Sequence, residues 1–200
     1  MKRRIFILLL LCNVLLSHGQ TIRELWMDMP DSLLVYLNRS LRTEMADYIE
    51  MGMPAKVKNL LGDTTTIETM TEDYLRVKLN PSSLLELKRV DAETLLCLRT
   101  WYSPEPESQL EVFNLKWERI GVATDLSPFI EKPDTMTAER YEELKQLIET
   151  KMLLLRLSPT DGTITSDYSV PLLSKSEKES IRALIKQRKF KWKDGKLKES

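Results

Sequence analysis

The sequence predicts an α+β fold: an antiparallel β-sheet meander, or two, packed with an N-terminal helical arm and two later helices. Three observations carry this expectation. Apolar residues recur at three- and four-residue intervals over residues 31–51, the spacing of one helix face. Between residues 75 and 117 the interval shortens to two, as in strands with one buried face. Short turns join these strands, and only antiparallel neighbours can be joined so briefly.

Residues 31–37 and 40–51 read as helix, with Leu33, Leu34, Leu37, Leu41, Met45, Tyr48 and Ile49 on one stripe and a break at Asn38-Arg39-Ser40. Pro30 suits a first turn, Asp28 or Asp31 can accept from its free amides, and Gly52 with Pro54 stops the run. Leu75, Val77 and Leu79 then alternate with Arg76, Lys78 and Asn80. Pro81-Ser82-Ser83 turns the chain into a second alternating stretch over 84–89. Residues 94–102 are more continuously apolar, which places them at the centre of the sheet. Residues 103–108 lead into a strand over 110–117, where the apolar set moves from Leu110 and Val112 to Phe113, Leu115 and Trp117. A change of phase flips the facing, so a bulge is expected near Phe113 and Asn114.

Residues 121–134, with Pro128 and Pro133, connect to a second half. Thr137 caps a helix bearing Tyr141, Leu144 and Ile148. Strands over 152–157 and 163–170 flank the hairpin turn Pro159-Thr160-Asp161-Gly162. Ser174 and Glu177 form a capping box for a helix burying Ile181, Leu184 and Ile185, and 189–193 alternates as a last strand ending at Asp194-Gly195. Residues 20–200 are expected to form a single α+β domain, with halves 20–120 and 135–200 sharing a core. About 180 residues can bury such a core without covalent staples.

Residues 1–19 read as a signal peptide. Lys2, Arg3 and Arg4 precede an apolar stretch over 5–16, and Ser17-His18-Gly19 sets small residues for cleavage before Gln20. Leu11 before Cys12, and further apolar residues after it, argue against lipidation at Cys12. The apolar stretch is short of the roughly twenty residues of a span, so no transmembrane span is expected in the mature chain. The expected location is outside the inner membrane, in the periplasm or beyond.

Export removes His18, the only histidine, and leaves Cys97 as the only thiol. Ser-His-Asp and Cys-His nucleophiles then lack their imidazole, and a zinc site lacks its ligands. Cys97 lies within Leu95-Leu96-Cys97-Leu98, which predicts a buried, inert thiol. No serine is followed three residues later by lysine, and no glycine-rich phosphate loop occurs. No catalytic residue, metal ligand or cofactor is therefore assigned. Paired carboxylates alone could hydrolyse a glycoside. The visible pairs, Asp28 with Asp31, Glu105 with Glu107 and Glu142 with Glu143, read better as a cap, a solvated loop and an exposed helix face. A calcium site at Asp161 or Asp167 lacks regular ligand spacing.

Charge is uneven. Residues 175–200 hold ten basic and four acidic side chains, against seventeen and twenty-six over 20–174. Within that basic end Lys189, Lys191 and Lys193 share one face of a strand, with Phe190 and Trp192 on the other. Lysines protect an edge strand from pairing with other chains. As a binding site, Lys189, Lys191, Trp192 and Lys193 would meet an acidic glycan, a lipid headgroup or an acidic envelope protein. Export argues against nucleic acid.

Met29-Pro30-Asp31-Ser32-Leu33-Leu34 close behind the leader, the strand over 95–100, Trp117 and the late Lys191-Trp192 together resemble an exported Bacteroidales family. That family is catalogued as domain of unknown function number three thousand two hundred fifty-six. The resemblance covers the whole mature chain and implies a Gram-negative envelope or secreted location, with no reaction, ligand or catalytic residue attached. The expectation is an exported, non-catalytic envelope protein that binds a protein partner or glycan. The alternatives are a small exported hydrolase using paired carboxylates, or a structural subunit of an envelope assembly.

Overall fold

The structure is a computed structural model that describes residues 20–121 and 124–200. The expected signal peptide over residues 1–19, with Cys12, lies outside the described residues. Helix α1 (Ile22–Asp28) begins at a capping box in which the Thr21 side chain accepts from the Glu24 amide and the Glu24 carboxylate accepts from the Thr21 amide at 2.7 Å. It ends at Met29, whose extended backbone is what a following proline favours. After a single 3₁₀ turn (Asp31–Leu33), α2 (Arg39–Glu50) starts where Asn38 accepts from the Leu41 amide at 3.0 Å.

The helix expected over 40–51 is thus present, but the one expected over 31–37 shrinks to that single turn. Leu34 and Leu37 still reach the core, from irregular backbone. The helix of this arm lies a step earlier, in 22–28, where only the capping box announces it.

Seven antiparallel strands follow in sequential order: β1 (Lys56–Lys58), β2 (Thr64–Met70), β3 (Tyr74–Asn80), β4 (Ser83–Arg89), β5 (Thr94–Trp101), β6 (Glu107–Asn114) and β7 (Arg119–Ile120). This is the expected meander, extended by β1 and β2. The expected bulge at Phe113 is absent, because the β5–β6 register runs unbroken from Thr94 opposite Asn114 to Trp101 opposite Glu107. Strand β6 stops at Asn114, whose side chain accepts from the amides of Lys116 and Glu118 in a turn where Trp117 takes φ 63°. Val112 and Phe113 are both apolar because both faces of the sheet are covered. Phe113 packs toward the helices and Val112 toward a second sheet.

On the helical face Leu75, Val77, Leu85, Leu87, Leu95 and Cys97 pack with Trp26, Leu37 and Met45. The opposite face is met by a four-stranded sheet ordered β13-β12-β10-β9, built from β9 (Met152–Leu157), β10 (Ile164–Ser169), β12 (Arg188–Lys193) and β13 (Lys196–Glu199). Tyr74, Leu96, Leu98 and Val112 from the first half and Leu155, Leu157, Ile164, Phe190 and Leu197 from the second form one buried cluster. A short pairing of β8 (Phe129–Ile130) with β11 (Ile185–Lys186), and the helices α3 (Ala138–Leu147) and α4 (Lys175–Arg182), enclose a third cluster around Leu144, Ile148, Val170, Ile181 and Leu184. Thr137 and the Ser174–Glu177 capping box start α3 and α4 as expected. Among the described residues no helix is long and apolar enough to cross a membrane.

Strand β12 is not the edge strand that the sequence suggested. It lies between β10 and β13, and β13 returns from Asp194 and Gly195, whose φ of 51° and 74° form a tight hairpin turn. Its lysines therefore do not serve to block an open edge.

Cys97 is a free thiol enclosed by the sheet and the helical arm, and burial pushes it up to about 11 despite nearby Arg99. Only the thiolate reacts with disulfide reagents. Folded protein of residues 20–200 is expected to show no reaction with an aromatic disulfide at pH 8, and the same protein unfolded to titrate one thiol. Rapid labelling of the native chain would contradict the enclosed core.

Candidate functional site

The outer face of the four-stranded sheet concentrates the basic side chains. Cross-strand register sets Lys191 opposite Lys198 and Lys193 opposite Lys196, and sets Lys189 opposite Thr165. Directly opposed side chains share a face with Cβ atoms about 5 Å apart, where like charges are destabilising. Five lysines thus form a two-strand lattice. Asp161 reaches Lys191 at 2.7 Å, and Asp194 pairs with Lys198. Among the described residues Lys189, Lys193 and Lys196 have no carboxylate partner.

The two acids record the local field. Lys191 first, then Ser158 and Thr163, hold the Asp161 carboxyl far below the usual range. Lys198 first, with Lys196 and Lys193 adding to it, lowers the Asp194 carboxyl from its ordinary value.

Of the four residues singled out from sequence, the structure brings Lys189, Lys191 and Lys193 together on this face and separates Trp192 from them. Trp192 turns inward, packs on the cluster shared by the two halves, and donates from Nε1 to Asp91 at 3.0 Å. Lys196 and Lys198 were missed because the strand reading stopped at Asp194-Gly195. That dipeptide, followed by Lys196-Leu197-Lys198, was the hairpin signal that could have found them.

Farther along the same face, beneath α4, lies a cavity of about 230 Å³. Leu154, Val170, Ile181 and Ile185 give it an apolar body, and Glu105, Arg156, Asp167, Lys178 and Arg182 line it with charge. Its two carboxylates are each engaged: Glu105 by Lys178, and Asp167 by Arg156 at 3.2 Å and Gln187 at 2.6 Å. Past Pro106 an open trough of about 370 Å³ runs between β9 and the first sheet, walled by Arg76, Leu84, Glu86, Thr100 and Tyr102. Tyr74 donates to Glu86 at 2.5 Å beneath it, and burial, then that carboxylate, raises the phenol well above its ordinary range.

The carboxylate pairs visible in the sequence do not converge. Asp28 pairs with Arg39 at 2.7 Å and Asp31 with Arg42 at 2.8 Å, while Glu143 and Glu142 pair with Arg140 and Lys145 on the surface of α3. Glu105 lines the cavity and Glu107 is exposed on β6. Asp161 accepts from its own turn and from Lys191. Among the described residues no three of His, Cys, Asp and Glu gather where a metal ion could be held.

A solved structure titled as a domain of an uncharacterized protein from Porphyromonas gingivalis W83 shares this fold with a TM-score of 0.69. It is 15% identical and covers 90% of this chain and 97% of its own. No curated protein matches the chain. The family described as "Protein of unknown function (DUF3256)" matches residues 14–197, nearly the whole sequence, and the chain belongs to that family.

Proposed function

We propose that the protein is an exported envelope protein that binds an acidic polysaccharide without transforming it, and that the outer face of β12 and β13 is the contact surface. One observation carries this reading. Two lysine pairs stand directly opposed on adjacent strands, with a fifth lysine beside them, and among the described residues only two of the five meet a carboxylate. Such a lattice costs stability in the free protein, and a polyanion lying across it relieves the repulsion. The two strands present their lysines in opposed rows, which suits a linear chain of regularly spaced charges. The leader and the resemblance to an exported family support the envelope location.

Purified residues 20–200 are expected to bind polygalacturonate and to ignore neutral dextran, with affinity falling as salt rises because the contacts are exposed. Each surface charge contributes a fraction of a kcal/mol to about one. The Lys189→Gln/Lys193→Gln/Lys196→Gln triple variant should therefore bind at least about tenfold more weakly while melting no lower than the parent. Equal binding of dextran, or full retention by the folded triple variant, would remove the lysine face as the site. Capture of an acidic envelope protein by in-cell crosslinking, lost in the same variant, would replace the polysaccharide by a protein partner.

A further inference from the structure

The cavity beneath α4 has a composition that the lysine face does not explain. It lies between the outer face of β9 and β10 and one side of α4, and its lining is apolar at Leu154, Val170, Ile181 and Ile185. Ser169, the last residue of β10, is 7% exposed, and its Oγ is buried without a hydrogen-bond partner. A buried hydroxyl left unpaired costs about 1–3 kcal/mol, and such groups call for a ligand, an ion or a water. The charges around it are also unbalanced. Glu105 and Asp167 are matched by Lys178 and Arg156, whereas Arg182, at the end of α4, makes no ion pair among the described residues.

We infer that this cavity binds a small amphiphilic monoanion, a short-chain carboxylate, with its acid group on Arg182 and Ser169 and its hydrocarbon body among Leu154, Val170, Ile181 and Ile185. One unmatched cation selects a single negative charge. Water occupies about 30 Å³ per molecule in the liquid, so 230 Å³ admits a ligand of on the order of seven or eight heavy atoms. The paired Glu105 and Asp167 on the walls disfavour a dianion. This site is separate from the lysine lattice and requires neither a polymer nor that lattice.

Hexanoate is the probe, with hexylamine and 1-hexanol as controls of equal length, read by backbone amide shifts in the folded protein. Hexanoate is expected to shift Ser169, Val170 and Ile181 saturably, with hexylamine inactive and hexanol much weaker. Losing a charge-assisted hydrogen bond weakens binding by on the order of tenfold or more, so Arg182→Gln should show that loss and Ser169→Ala a smaller one. The lysine-face triple variant should bind hexanoate as the parent does, which separates this site from the polysaccharide surface. Absence of saturable shifts up to the solubility limit overturns the inference. So does equal binding of hexylamine, or undiminished binding by folded Arg182→Gln protein.

Discussion

Replacing Arg42 by alanine is expected to destabilise the protein by about 3–5 kcal/mol, because it strips the donors from three buried backbone carbonyls at about 1–3 kcal/mol each. Arg42 is 1% exposed, on the face of α2 that meets α1. Its Nε donates to the Trp26 carbonyl at 3.1 Å, Nη1 to that of Leu37 at 2.6 Å, and Nη2 to that of Met29. The Trp26 indole returns a bond to the Arg42 carbonyl at 3.0 Å. These carbonyls belong to the end of α1 and to the irregular backbone around the 3₁₀ turn, which have few helical partners of their own. One guanidinium thus satisfies a segment that could not otherwise be buried. For a chain of this size the melting temperature should fall by on the order of 10 °C. Arg42→Met, which restores volume without the donors, should recover only a minor part. Asp31→Asn, on the exposed side of the ion pair, should cost less than about 1 kcal/mol. Urea denaturation of the three variants checks this, and an Arg42→Ala chain as stable as the parent would show that the carbonyls find other donors.

Strand β3 was legible because it alternates over its length, with Leu75, Val77 and Leu79 facing the helices while Tyr74, Arg76 and Lys78 face away, and β5 because its apolar run is continuous. Phe113 misled for a related reason. A strand covered on both faces loses the two-residue pattern, and a change of phase then says nothing about a bulge. Strand β1 carries Val57, and β2 carries Thr65 and Ile67, as inward residues amid lysines and threonines, too little apolar signal to separate the two strands from a loop. The arm was misplaced because Leu33, Leu34 and Leu37 keep helical spacing in a segment whose backbone is organised by Arg42, a residue no local pattern identifies as buried. At the candidate surfaces the lysines of β12 were visible by alternation, whereas their opposition to Lys196 and Lys198 depends on register. The α4 cavity joins residues from the loop before β6 to the end of α4, a gathering that only the fold makes.

Lys88→Met is expected to cost about 2–3 kcal/mol, because it removes a buried charge-assisted hydrogen bond that joins the two halves. Lys88 is 3% exposed, and its Nζ donates to Asp73 at 2.6 Å and to the Pro159 carbonyl at 2.6 Å in the β9–β10 turn. The same turn meets the first half at Gly162, which has φ +66° and where a Cβ would stand 2.9 Å from Val90 Cγ1. Gly162→Ala should therefore cost about 2–4 kcal/mol, from left-handed backbone strain plus the overlap. Acid should act on the seam through Asp73. Burial alone would raise its carboxyl, but the hydrogen bond and charge of Lys88, with Thr71 and its own amide, bring it below the ordinary value. A lowered folded-state value means that this contribution is complete above the unfolded carboxyl value near pH 4 and is lost as pH falls below it. The parent should lose stability on acidification through that range, and Lys88→Met should lose less because its Asp73 no longer has the cation. If the turn holds the four-stranded sheet on a core shared with the meander, both substitutions lower one cooperative transition followed by Trp26 and by Trp192 fluorescence alike. Two separated transitions, with the Trp192 signal moving first, would mean that the second half can leave while the first stays folded.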